Sequence, residues 1–198
     1  IDIAGSINVK EIVDINDKEN IIIDFKNNEY DKYKSSGIKV NSIGLIKTDC
    51  NISNFYDEDF KNKCVIETDK YKLLNDDSKL DISFFESGKY YLDYIILNVG
   101  IRYNDSSEFY LKYFNNFNKD VDEVNIITRL QGKSKLFDVS VKSNSDAKVI
   151  KDVENNIIHT KIVNYKSGNF VTINILYDKY LSSANISKVY DEDMLRDV

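Results

Sequence analysis

Neither proline nor tryptophan occurs in this sequence, and histidine occurs once. Cysteine occurs twice, and the seven glycines are scattered. Each scarcity excludes something. Scattered glycines form no phosphate-cradling loop ahead of a helix. Two cysteines and one distant histidine cannot supply the four ligands of a structural zinc. No Gly- or Pro-rich stretch reads as a linker. Basic runs are missing too. The 27 basic and 33 acidic side chains are dispersed, net −6, and the longest local biases are acidic, at Tyr56-Asp57-Glu58-Asp59 and Asp191-Glu192-Asp193. Nucleic acid and anionic lipid both need clustered Lys or Arg, so neither partner is expected. No apolar run approaches the ~20 residues of a membrane-spanning helix. The chain starts at Ile1 rather than Met, which we read as removal of an upstream segment such as a signal peptide. A membrane anchor is then expected outside this sequence.

What is present suits a folded chain. Hydrophobic residues make up 42% and charged residues 30%, too apolar for disorder. The 198 residues fit one large all-β domain or two small sandwiches sharing an interface. Asn, Lys, Ile, Tyr and Asp are heavily used; these are residues of A/T-rich codons, so the asparagines carry little functional weight.

Period-2 alternation recurs along the chain and predicts strands. Ile7, Val9, Val13 and Ile15 share a face, opposite Asn8, Lys10 and Asp14. Ile21 to Phe25 follows a polar turn. From Ile38 to Thr48 the apolar face switches, from Ile38/Val40 to Ile43/Leu45, which predicts a β-bulge near Gly44. Val65 to Leu74 and Leu80 to Phe85 read as strands. Tyr90 to Tyr103 is apolar on both faces and reads as one long central strand. Val139 and Val141, Lys148 to Val153, Ile158/Thr160/Ile162 with His159 and Lys161 outward, and Val171 to Tyr177 form a final meander. One segment departs from the pattern. Asp105-Ser106-Ser107-Glu108 has capping-box spacing with Asp at the first position. Phe109, Tyr110, Tyr113, Phe114 and Phe117 then fall at helical spacings. A short helix is predicted across 106–115, with Asp105 and Glu108 as its capping residues.

Cys50 and Cys64 flank a polar stretch that looks like an excursion returning to its start. This favours a disulfide, worth roughly 3 kcal/mol for a loop of ~15 residues, and an oxidising compartment. Two unrelated buried thiols are the other reading. Catalytic constellations are poorly supported. His159 lies on the polar face of a predicted strand with no nucleophile elbow nearby, and reads as a surface histidine. Cysteine–histidine chemistry would need a reduced thiol. With 33 acidic residues, chance carboxylate pairs are unavoidable and carry no signal for glycoside hydrolysis. The acidic stretches at Asp14–Glu19, Asp57–Asp59 and Asp76–Asp77 lack the glycine and terminal bidentate Glu of a calcium loop. The aromatics read as core filling rather than as a sugar platform. No catalytic residue, metal or cofactor is expected.

Three stretches combine into a resemblance. The opening Ala4-Gly5-Ser6-Ile7-Asn8-Val9-Lys10-Glu11, the middle Tyr103-Asn104-Asp105-Ser106-Ser107-Glu108-Phe109-Tyr110, and the strands from Val121 through Tyr177 together resemble the N-terminal ectodomain of predicted bacterial membrane proteins called domain of unknown function 2207. The resemblance spans residues 3–181, although Leu130-Gln131-Gly132 stands where that family carries a His-Gly pair. It implies a signal peptide before the domain, transmembrane helices after it, and no assigned activity or catalytic residue.

The expectation is therefore an all-β, antiparallel β-sandwich with Greek-key-like connections and one short helix near 106–115. Residues 3–181 form the domain, with a soft divide near 116–122, and 182–198 a linker or short terminal helix. The leading functional expectation is the extracellular domain of a membrane-anchored bacterial protein, used for interaction, sensing or scaffolding with an unknown protein or glycan. A carbohydrate-binding or adhesin module is the second reading, and an exposed aromatic row beside a groove would favour it. A hydrolase ranks last and needs two carboxylates whose pKa values are pushed apart.

Overall fold

The computed structural model describes residues 6–24, 37–55, 57–75, 79–113, 120–129, 136–143, 146–152, 157–167, 169–178, 190–191 and 193–194. In chain order its elements are β1 (Ile7–Ile15), β2 (Glu19–Asp24), β3 (Gly37–Ile46), α1 (Glu58–Cys64), β4 (Val65–Glu67), β5 (Tyr71–Asn75), β6 (Lys79–Phe84) and β7 (Gly88–Leu97). Then follow β8 (Gly100–Arg102), β9 (Ser107–Tyr113), β10 (Val121–Arg129), β11 (Leu136–Ser143), β12 (Asp146–Asp152), β13 (Ile157–Tyr165) and β14 (Val171–Tyr177). A 3-10 turn spans Ile52–Asn54.

The architecture is all-β and antiparallel throughout the described strands, which divide among four sheets. Sheet I has the order β1-β7-β3-β4 and sheet II the order β2-β6-β5; sheet III is β11-β14-β9-β8 and sheet IV is β10-β13-β12. Strands β1–β7 pair among themselves, and so do β8–β14. The last strand of each half, β7 or β14, is inserted between two earlier ones, so its neighbours in the sheet are not its neighbours in sequence.

Alternation decides which side chains go inside. On β1 the face carrying Ile7 and Ile15 meets Tyr90, Leu92, Tyr94 and Ile96 of β7. On β6, Leu80, Ile82 and Phe84 are fully buried while Lys79, Asp81 and Ser83 are half-buried. The Phe84 and Tyr90 rings, 4.5 Å between centroids, join sheet II to sheet I. In the second half Phe109 and Leu111 of β9, Ile158 and Ile162 of β13, and Ile173 and Ile175 of β14 are buried. The inward residues of both halves belong to one continuous core. Strand β7 is buried on both faces, as its largely apolar run predicts.

Three expectations need correction. The segment from Tyr90 to Tyr103 is two strands: the chain turns at Asn98, with φ 57, and β8 joins the other half. Asn tolerates that left-handed conformation better than most residues. Val65 to Leu74 is likewise two strands in different sheets, β4 in I and β5 in II. Residues 107–113 form the strand β9, not a helix. Phe109 and Leu111 alternate with Glu108 and Lys112, and β9 hydrogen-bonds between β14 and β8, so sheet pairing overrides the i, i+4 aromatic spacing. Asp105 and Glu108 therefore cap no helix. Strand β9, before the 116–122 stretch expected as a soft divide, pairs with β8 and with β14 beyond that stretch. Phe114, Phe117 and residues 182–189 lie outside the described residues, as do Asp76 and Asp77 of the acidic turn.

Candidate functional site

The excursion between β3 and β4 is a covalently closed cap. Cys50 and Cys64 are bonded, with Cα atoms 5.7 Å apart. Within the loop, Asn51 accepts a hydrogen bond from the Ser53 backbone N–H, 2.9 Å, and starts the 3-10 turn. Lys47 N–H donates to the Cys64 carbonyl, 2.9 Å, and closes the base. The cap buries Phe60 against Tyr91 and Ile46, with Ile12, Phe55 and Val65 around them. It thereby covers part of the outer face of sheet I, and burial there pushes the Tyr91 phenol up to about 12, with Asp93 adding to the rise. Gly44 is what lets the cap seat: a Cβ there would lie 2.8 Å from the Ile66 carbonyl oxygen.

Beside the cap, Asp93 is buried on β7 and ties down both neighbouring strands. Its Oδ1 accepts from the amides of Asn8 on β1, 2.7 Å, and Asn41 on β3, 2.8 Å. Asn41 is the bulged residue, since the β3–β7 register shifts between Val40 and Ser42. The switch of apolar face in the sequence thus reports a real bulge, three residues ahead of Gly44.

A second carboxyl is enclosed in the other half. Tyr103 N–H bonds the Ser106 carbonyl, 2.9 Å, closing the turn between β8 and β9. Glu108, on the first turn of pleat after it, is 1% exposed. Its Oε2 accepts from the Tyr103 hydroxyl and its Oε1 from the Asn174 amide, both at 2.7 Å. Asp105 accepts from the Ser106 hydroxyl, 2.9 Å, and from the Met194 backbone N–H, 3.0 Å. Tyr190 N–H donates to the Arg102 carbonyl, 2.9 Å, and Asn104 donates to Asp191, 2.9 Å. The described C-terminal residues therefore pack on the β8–β9 turn, with Met194 against Ile101 and Tyr103.

Glu11 is the residue the sequence reading passed over. It sits in phase with Ile7, Val9, Val13 and Ile15, opposite Leu92, on the core-facing side of the edge strand β1. Part of the residue stays accessible at the sheet edge, but its carboxyl head lies in apolar surroundings. That desolvation pushes its pKa from 4.5 to about 7, against the opposing pull of the Tyr94 hydroxyl, which donates to Oε1 at 3.0 Å.

His159 lies on the outward side of β13, as expected, and its Nε2 is 2.8 Å from Asn125 Oδ1. Asp14 pairs with Lys89, Asp59 with Lys63, and Asp17 accepts from the Lys18 backbone N–H. Among the described residues no three His, Cys, Asp or Glu side chains converge. The large exposed hydrophobics include two aromatics, Phe85 and Tyr190, in different halves, which do not make a sugar-binding row. Exposed aliphatics are spread over the sheets, with Ile66 and Leu97 on sheet I, Ile22 and Leu74 on sheet II and Ile150 on sheet IV. Ile22 and Leu74, 43% and 58% exposed, both stand in register with Asp81, one on each side of β6. No family model, curated protein or solved structure matches this chain.

Proposed function

We propose that this chain is an extracytoplasmic interaction or scaffolding module at the bacterial cell envelope, the role implied by its resemblance to the ectodomains of domain of unknown function 2207. The observation that carries the reading is the Cys50–Cys64 bond, which locks the cap onto sheet I. Such a structural disulfide is made and kept in oxidising compartments and is rare in a reducing cytosol.

The test is vectorial labelling of the full-length gene product in its own cells. A membrane-impermeant amine reagent applied to intact cells should modify exposed lysines of this domain, such as Lys72 and Lys63. Labelling that appears only after the cells are broken would overturn the assignment.

A further inference from the structure

The position of Glu11 has a consequence for how β1 behaves. Among the described strands, β1 is an edge strand and pairs with β7 alone. Its core-facing row reads Ile7, Val9, Glu11, Val13, Ile15, so a single carboxyl interrupts four aliphatic side chains. Among the described residues, the positions that share this interior offer it no cation. On β7 they are Tyr90, Leu92, Tyr94 and Ile96, and on β3 Ile38, Val40, Ile43 and Leu45. On sheet II they are Leu80, Ile82 and Phe84 from β6, Ile21 and Glu19 from β2, and Tyr71 and Leu73 from β5. The titratable groups among these are Tyr90, Tyr94, Glu19 and Tyr71, none of them basic. Lys10 and Asp14 project from the other face of β1, where Asp14 pairs with Lys89.

We propose that Glu11 is a proton switch built into the edge of the fold: protonated, it lets β1 seat on β7, and ionised, it loosens that strand. A neutral carboxyl is tolerated beside Leu92 and Val9, with the Tyr94 hydroxyl as its hydrogen-bond partner. An ionised one must be hydrated, and water reaches it most easily by displacing the edge strand. The upward displacement of its pKa by burial agrees with this geometry.

The sign follows from linkage. Glu11 binds its proton more tightly in the seated strand than in the opened one, so opening becomes easier as pH rises from the opened-state pKa towards the seated-state value. With 4.5 for the opened strand and about 7 for the seated one, the opening equilibrium should grow about 30-fold between pH 5.5 and pH 8.5.

Hydrogen exchange on the full chain reads this directly, as amide protection factors corrected for intrinsic rates. Protection across β1 should fall by that factor over this pH range, while β13 changes little. Glu11→Gln should keep high β1 protection at both pH values, and Tyr94→Phe should move the midpoint upwards. A second readout needs no variant: the Glu11 side-chain carboxyl carbon should titrate near pH 7 by NMR. A Glu11 midpoint near 4.5, or an unchanged pH response in Glu11→Gln, would overturn the switch.

Discussion

Glu11 and Glu108 are both carboxyls placed inside β-structure beside a tyrosine hydroxyl, and they differ in what completes the shell. Glu108 has a donor for each oxygen, Tyr103 and Asn174. Glu11 has the Tyr94 hydroxyl at Oε1, in otherwise apolar surroundings. A satisfied buried network specifies packing and is costly to break, because truncating one member strands the others without water. Glu108→Ala should therefore destabilise the protein by about 2–4 kcal/mol, and Tyr103→Phe, which removes one donor, by about 1 kcal/mol. Urea denaturation of the variants measures both, and near-neutral results would show that the enclosed carboxyl contributes little. Asp93 belongs with Glu108 in kind, since its two amide donors come from the strands on either side. Neither Glu11 nor Asp93 stood out in the sequence. Both break an apolar row at a single position, Glu11 between Val9 and Val13 and Asp93 within Tyr90–Ile96. A lone break reads as surface until the fold shows both sides of the strand.

At the scale of elements, strands that are alternating and bounded by polar turns were legible: β1, β6, β13 and β14 follow directly from their period-2 rows. The bulge in β3 was legible because a one-residue slip moves every later apolar side chain to the other face. The Cys50–Cys64 pair was legible from the returning character of the segment between. Length was not. Tyr90–Tyr103 reads as continuous because both of its strands are apolar and the break lies in a backbone conformation, at Asn98; in Val65–Leu74 the break is the polar Thr68-Asp69-Lys70 turn, where Lys70 N–H bonds Thr68 Oγ1. Strand β9 was misread because Phe109, Tyr110 and Tyr113 fit a helical face as well as a pleat. Leu111, fully buried between them, is the residue that favours the strand. The cap depends on close approach of β4 to β3 at Gly44. Gly44→Ala should cost about 1–3 kcal/mol by pushing β4 outward. Thermal unfolding of the variant tests this, and an unchanged midpoint would mean that the cap is not seated against Gly44.

At the scale of the molecule, the described strands form two groups of seven that pair internally, yet their inward side chains form one core. A shared core couples the halves, so unfolding should be a single cooperative transition. Calorimetry showing two separate transitions would mean that the halves behave as independent domains. The outward feature that supports a module presented outside the cytoplasm is the disulfide-closed cap on sheet I. Leu74→Thr should change stability by no more than about 0.5 kcal/mol, since the side chain is 58% exposed; a larger loss in urea denaturation would place Leu74 in the core rather than on the surface. The most direct test of the central claim is differential alkylation of the protein taken from its own cells, read by mass. Cys50 and Cys64 should resist alkylation until a reductant is added and then both react. Two thiols that alkylate freely in the untreated protein would contradict the account.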